Sequence, residues 1–111
     1  MYFILIENAL KFALENTKVN INFSATSDKE LKISISNECY QIENNEIDNI
    51  FISGFRSKSA MQNSKGSGLG LTVAKKIADA SSVQLNCKYN VKTKETGEFI
   101  IECVHKKVQE I

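Results

Sequence analysis

Proline is absent from this 111-residue chain. No repeat, low-complexity segment or proline-stiffened linker divides it, so a single unit is expected. Cysteine is scarce: Cys39, Cys87 and Cys103 are too few and too widely spaced for a zinc site, and their odd number argues against a disulfide framework. Cys87 and Cys103 fall on apolar strand positions and read as small core hydrophobes, and a reducing cytoplasm suits that usage. Long apolar runs are also missing. Tyr2-Phe3-Ile4-Leu5-Ile6 is far too short to span a bilayer and lacks the basic flank and cleavage region of a signal peptide. Neither sign of charge dominates, with 14 Lys and Arg against 13 Asp and Glu and a net charge of +1. Bulk electrostatics therefore favours neither nucleic acid nor a membrane surface, and any ligand charge must be met locally. With 42% hydrophobic and 24% charged residues, the chain can bury one modest core.

The apolar residues that remain are ordered. From about Tyr2 to Glu15 they keep helical spacing, with Phe3, Ile6, Leu10, Ala13 and Leu14 predicted on the core face. Beside them, Ile4, Asn8, Lys11 and Phe12 form a second stripe that a ligand can touch. Val19, Ile21 and Phe23, then Leu31, Ile33 and Ile35, alternate with polar residues and predict two half-buried strands turning at Ser27-Asp28-Lys29. Ile42, Ile47, Ile50 and Phe51 suggest a short helix ending near Gly54. Phe55 to Gly66 reads as a basic, serine-rich loop, a candidate lid, and Leu71 to Ala80 as a further helix. Alternation at Val83, Leu85, Cys87 and Tyr89 and at Phe99, Ile101 and Cys103 predicts a final hairpin turning within Lys92 to Gly97.

Two stretches carry chemistry. In Lys65-Gly66-Ser67-Gly68-Leu69-Gly70-Leu71, glycines let backbone N–H groups approach an anion, and the following helix offers its unpaired donors and positive dipole end. Tight packing or capping is the alternative use of such a turn. Near the start, Glu7-Asn8-Ala9-Leu10-Lys11-Phe12 places a carboxylate, a carboxamide, an ammonium and a ring within about two helical turns. Its bland alternative is a Glu7–Lys11 surface pair worth about 0.2–0.5 kcal/mol, an exposed Asn8 and a core Phe12.

Taken together, Glu7 to Phe12, a degenerate turn at Ser36 to Ile42, Phe51-x-x-Gly54-Phe55, a basic lid and Gly66-x-Gly68-x-Gly70-Leu71 resemble a histidine-kinase catalytic domain. That family belongs to the ATPase superfamily shared with gyrase, heat-shock chaperones and mismatch-repair ATPases. The resemblance covers nearly the whole chain and implies an α/β (α+β) two-layer sandwich, with helices on one face of a mixed, largely antiparallel sheet and an ATP lid. It implies ATP and Mg²⁺ as cofactors, with Asn8 holding the metal and Glu7 acting as base. Lys11 would meet phosphate, and Phe12, Ile42 and Phe55 would line the nucleotide pocket. Backbone donors over Gly66, Ser67, Gly68, Leu69, Gly70 and Leu71 would hold the β- and γ-phosphates. Arg56, Lys58 and Lys65 would add charge, and each is equally readable as a solubilising surface cation. The implied partners are a phosphoacceptor domain bearing a histidine and, indirectly, a response regulator. The setting is cytoplasmic, including the cytoplasmic part of a membrane-anchored sensor, with no nucleic acid and no membrane contact by the domain itself.

The chain departs from the family pattern in several places. Where relatives carry Asp-x-Gly-x-Gly, it has Asn37-Glu38-Cys39-Tyr40-Gln41. Asn37 keeps an acceptor for the adenine amine and loses the charge assistance. Cys39 and Tyr40 replace small residues, Ile4 stands where many relatives have a second asparagine, and Thr96-Gly97-Glu98-Phe99 only loosely echoes the family's glycine-threonine-x-phenylalanine strand. The single histidine, His105, lies on a predicted final strand and reads as a surface or strand-end imidazole rather than a phosphoacceptor. The chain starts almost at the motif helix, so a module truncated on its N-terminal side is expected. Two alternatives stay open: a catalytically degenerate nucleotide-binding or regulatory module, and a protein-serine kinase of the anti-sigma-factor type.

Overall fold

The computed structural model describes residues 1–25, 30–42 and 70–106. Helix α1 spans Tyr2–Phe12 and is followed by strands β1 (Asn20–Ala25) and β2 (Leu31–Tyr40). Helix α2 (Gly70–Ala80), β3 (Val83–Val91) and β4 (Thr96–His105) complete the described chain. The strands form one sheet in the order β1-β2-β4-β3, with every neighbouring pair antiparallel. Both helices lie on one face, giving the two-layer α/β sandwich: α1 packs on β2, α2 packs on β3, and the two helices pack on each other.

Leu5 and Ala9 from α1, and Ala74 and Ala78 from α2, meet Ile35, Cys39, Val83, Leu85, Phe99, Ile101 and Cys103 from the sheet. The small side chains of Ala74 and Ala78, one helical turn apart, let α2 sit close on the layer beneath. Cys103 is fully buried and Cys87 packs at the edge of the core, as their strand positions predict, and Cys39 is buried too. Among the described residues no helix is long and apolar enough to cross a membrane.

Three expectations are corrected. First, α1 stops at Phe12 rather than near Glu15, because Ala13 turns to an extended conformation and Asn16 takes a left-handed one (φ 61°). Its buried face holds Leu5 and Ala9, while Phe3 (77% exposed) and Leu10 (64%) point outward. Apolar side chains surround this helix, so spacing alone could not choose which stripe meets the sheet. Second, β1 is exposed along its whole length rather than half-buried. It is an edge strand beyond the footprint of α1, and Phe23 on its helix-side face is 69% exposed. Third, the turn expected at Ser36 to Ile42 is strand as far as Tyr40, in register with β4 from Ser36↔Ile100 to Tyr40↔Thr96. Without glycines, and with the β-compatible Cys39 and Tyr40, nothing there interrupts the ladder.

The two expected strand pairings fit. β1 pairs with β2 as the alternation predicts, and their connecting turn at Ser27-Asp28-Lys29 lies outside the described residues. So do the helix expected after Ile42 and the lid. The β3–β4 hairpin closes within the expected segment, where the Thr93 hydroxyl accepts from Glu95 N–H at 3.2 Å and Thr96 N–H at 3.0 Å.

On the sheet face away from the helices, the carboxylate of Glu102 on the central strand β4 holds two cations. Oε2 meets Lys32 Nζ of β2 at 2.7 Å and Oε1 meets Lys88 Nζ of β3 at 2.8 Å. These lysine hydrogen bonds, Lys32 first, hold the Glu102 carboxyl below the usual carboxylate range. A lowered folded pKa means the unfolded chain binds the proton first as pH falls. The contribution is then complete above the unfolded carboxyl's ordinary range, about 4.3, and is lost as pH falls through the lower folded value. Glu102→Gln should lower stability at pH 7 by about 0.2–1 kcal/mol per pair, since both lysines reach into solvent, and should flatten the acid limb of a stability–pH curve. An unchanged acid limb would show that the pairs contribute nothing.

Candidate functional site

Two contacts set how α1 lies on the sheet. At its start, the Tyr2 hydroxyl is hydrogen-bonded to His105 Nε2 at the end of β4. Burial, with Cys103 beside it, pushes the Tyr2 hydroxyl up to about 12. Just past its end, Leu14 N–H donates to Glu38 O of β2 at 3.0 Å. Since Leu31 is the register partner of His105, α1 runs alongside β2 in the same direction. Its C-terminal half therefore stands over the Asn37 end of that strand.

Ile4, Asn8 and Phe12 share one half-buried stripe of α1, with Glu7 and Lys11 exposed beside it. The first residue of α2 comes against that stripe: a Cβ added to Gly70 would lie 3.6 Å from Ile4 Cγ2. At its other end α2 leads through Ser81 and Ser82 into Val83, the register partner of His105. The N-terminus of α2 is therefore set beside Ile4, and Asn8 lies one turn further along the same stripe. Such an end leaves backbone N–H groups without intrahelical acceptors and carries partial positive charge. No acidic side chain in the first turn of α2 neutralises it. Leu71 behind it is half-buried against the core. Of the predicted site residues, Gly70 is thus brought against the stripe that carries Asn8 and Phe12.

The other predicted group forms the end of the sheet below α1. Asn37 is only 3% exposed, and its Nδ2 donates to Glu38 O at 3.3 Å. It heads a cross-strand row on the helix side, Asn37–Phe99–Tyr89, beside the row Cys39–Gly97–Val91. Ile42 follows as a half-buried residue packed on the core. Phe55, Arg56, Lys58, Lys65, Gly66, Ser67, Gly68 and Leu69 lie outside the described residues.

Two residues of this end escaped the sequence reading. The Tyr89 ring lies over Gly97, where an added Cβ would meet Tyr89 Cζ and Oη at 2.4 Å and Asn90 O at 2.6 Å. The Tyr89 hydroxyl is buried without a hydrogen-bond partner among the described residues. Burial first, then Cys39, raises its pKa, and the Ile42 backbone opposes this without reaching hydrogen-bond geometry. Burial likewise pushes the Cys39 thiol up to about 12, so it stays a neutral core group. Tyr89 looked like any alternating strand residue. The available signal was a glycine inside a strand two residues before Phe99, which marks a close approach.

Among the described residues no group of three or more His, Cys, Asp or Glu could hold a metal ion by itself. The donor set around Asn8 suits a hard cation bound by one neutral oxygen and completed by ligand oxygens and water.

The model of the family described as "Histidine kinase-, DNA gyrase B-, and HSP90-like ATPase" matches residues 1–107. Histidine protein kinase SaeS of Staphylococcus aureus strain USA300 is 30% identical over 105 residues, covering 92% of this chain and 29% of the relative. The same figures hold for SaeS of strain NCTC 8325 / PS 47. The chain thus spans under a third of the length of these curated relatives. Among solved structures, the mycobacterial sensor histidine kinase MprB superposes with a TM-score of 0.75 at 21% identity, over 95% of this chain and 70% of that one. Full-length ShkA in complex with AMPPNP gives 0.68 at 18% identity, over 97% of this chain and 21% of that one. With its described helices on one face of an antiparallel sheet and a family match running almost from end to end, this chain belongs to the histidine kinase-, DNA gyrase B- and HSP90-like ATPases.

Proposed function

We propose that this chain is the ATP–Mg²⁺-binding catalytic domain of a sensor histidine kinase, passing the γ-phosphoryl group to a histidine on a separate phosphoacceptor domain. The observation that supports this reading is the first residue of α2 packed against Ile4, on the stripe that carries Asn8, with no acidic residue in the first turn of α2. Positive backbone charge and a neutral oxygen ligand together suit a polyphosphate with its cation. The AMPPNP in the ShkA structure supports nucleotide binding by this fold.

In this reading Asn8 holds Mg²⁺, whose charge would neutralise the phosphate oxygens. Backbone donors of Gly66, Ser67, Gly68, Leu69, Gly70 and Leu71 orient the β- and γ-phosphates, and Lys11, Arg56, Lys58 and Lys65 add positive charge. Phe12, Ile42 and Phe55 enclose the nucleoside, and Asn37 accepts from the adenine amine. Glu7 orients the acceptor imidazole and takes up its proton. The bond from the γ-phosphorus to its bridging oxygen breaks, a phosphorus–nitrogen bond forms, and ADP leaves. Such transfer depends on positioning and charge neutralisation more than on covalent help. The phosphoacceptor domain, a downstream response regulator and a cytoplasmic setting belong to the same proposal.

Two observations favour the second reading, a degenerate nucleotide-binding or regulatory module: β2 runs unbroken to Tyr40, and the Tyr89 ring covers Gly97 where the family pattern carries threonine. Calorimetric titration of ATP into the chain, with and without Mg²⁺ and with GTP as control, tests the site that the catalytic reading requires, and phosphoryl transfer to an added acceptor domain separates that reading from a module that only binds. Micromolar, Mg²⁺-dependent, adenine-selective binding is expected. A folded sample that binds neither nucleotide would overturn the catalytic reading.

A further inference from the structure

A buried polar group without a partner is uncommon in folded proteins and calls for an explanation, such as a bound water or ligand. The Tyr89 hydroxyl is such a group among the described residues. It sits at the Asn37 end of the sheet, because its ring leans from β3 across Gly97 toward β2, where Cys39 is the partner of Gly97. Asn37 stands in the adjoining row on the same face. The missing side chain at Gly97 creates the space, since any Cβ there would collide with the ring and with Asn90 O.

The donors and acceptors at this end have a definite polarity. Asn37 commits Nδ2 to Glu38 O, which leaves Oδ1 to accept from a ligand. A phenol both donates and accepts, so the Tyr89 hydroxyl can supply the donor that Asn37 does not. An acceptor beside a donor matches the edge of adenine, whose exocyclic amine donates and whose neighbouring N1 accepts. Guanine presents the reverse order, placing a carbonyl against the Asn37 oxygen.

Resting on the nucleotide reading above, we propose that Tyr89 is a base-reading residue: its hydroxyl donates to adenine N1 while Asn37 Oδ1 accepts from the adenine amine. This pair replaces, with two neutral hydrogen bonds, the single charge-assisted bond that an aspartate at position 37 would make. Tyr89 is a specificity residue and takes no part in phosphoryl transfer.

The test combines Tyr89→Phe with 1-deaza-ATP, in which a C–H replaces N1. Both are titrated calorimetrically with Mg²⁺ present, beside ATP and GTP. Tyr89→Phe should weaken ATP binding about five- to tenfold, the worth of one neutral hydrogen bond. The wild-type chain should lose a similar factor with 1-deaza-ATP, and Tyr89→Phe should lose nothing further with it. Without nucleotide, Tyr89→Phe should be at least as stable as wild type in denaturant, because an unpartnered hydroxyl has been removed and the ring kept. Wild-type ATP affinity in Tyr89→Phe, or an undiminished 1-deaza penalty in that variant, would overturn the role of Tyr89 and leave the nucleotide reading standing. Should the wild-type chain bind neither ATP nor GTP, the nucleotide reading itself falls, and this inference with it. The 1-deaza comparison on wild type needs no variant to fold.

Discussion

Leu5→Ala is expected to lower folding stability by about 2–5 kcal/mol, whereas Leu10→Ala on the same helix should stay within about 0.5 kcal/mol of wild type. Both lose the same atoms, and only their surroundings differ: Leu5 is 1% exposed and Leu10 is 64% exposed. Truncating Leu5 forfeits its transfer free energy and opens a cavity above the sheet that rigid neighbours close only in part. Truncating Leu10 exchanges one solvated surface for another. Urea unfolding at unchanged slope measures both. A larger loss for Leu10 than for Leu5 would mean that α1 is rolled about its axis from the orientation described, and the stripe carrying Asn8 with it.

The second large effect concerns Asn8 under the proposed function. Asn8→Ala should weaken Mg²⁺-dependent ATP binding by at least about 10–100-fold, the range seen when groups that merely support metal ligands are removed. Binding without Mg²⁺ and stability without nucleotide should barely change, since Asn8 is half-buried and lies outside the core. Equal Mg²⁺ dependence in variant and wild type would remove Asn8 from the metal site. Glu7→Gln offers the matching contrast in a kinase reconstituted with its acceptor domain: binding should hold while transfer slows by about a hundred- to ten-thousand-fold.

Much of the fold was readable because alternation is a strict signal. β2, β3 and β4 and the closing hairpin lie where period-two patterns place them. Helix α2 was legible for a related reason, since its apolar residues fall on one side and a glycine opens it. Burial was less legible. Ile21 and Phe23 alternate as cleanly as Ile33 and Ile35, yet β1 is an edge strand, and position in a sheet is a property of the partners rather than of the strand. The stripes of α1 were ambiguous for the opposite reason, an excess of apolar residues.

Within the candidate site, local motifs were visible because they are contiguous. Asn8, Lys11 and Phe12 share a helix, and Gly70 and Leu71 open another. That Gly70 abuts Ile4 follows only from how the helices pack. Asn37 to Gln41 was misread as an eroded turn because comparison with the family pattern stressed the missing glycines, when residues that suit a strand had simply extended it. Tyr89 over Gly97 joins two strands, a juxtaposition that register creates and one-dimensional spacing hides.

Helix α1 behaves mechanically as a strut bolted at both ends, by Tyr2 to the last residue of β4 and by Leu14 to the edge of β2. Its 11 residues cover about 16 Å. Turning it by one residue would swing every side chain through about 100° and break both fastenings at once. The height and bearing of Asn8 above the sheet are thus tied to two hydrogen bonds that lie well away from it along the chain.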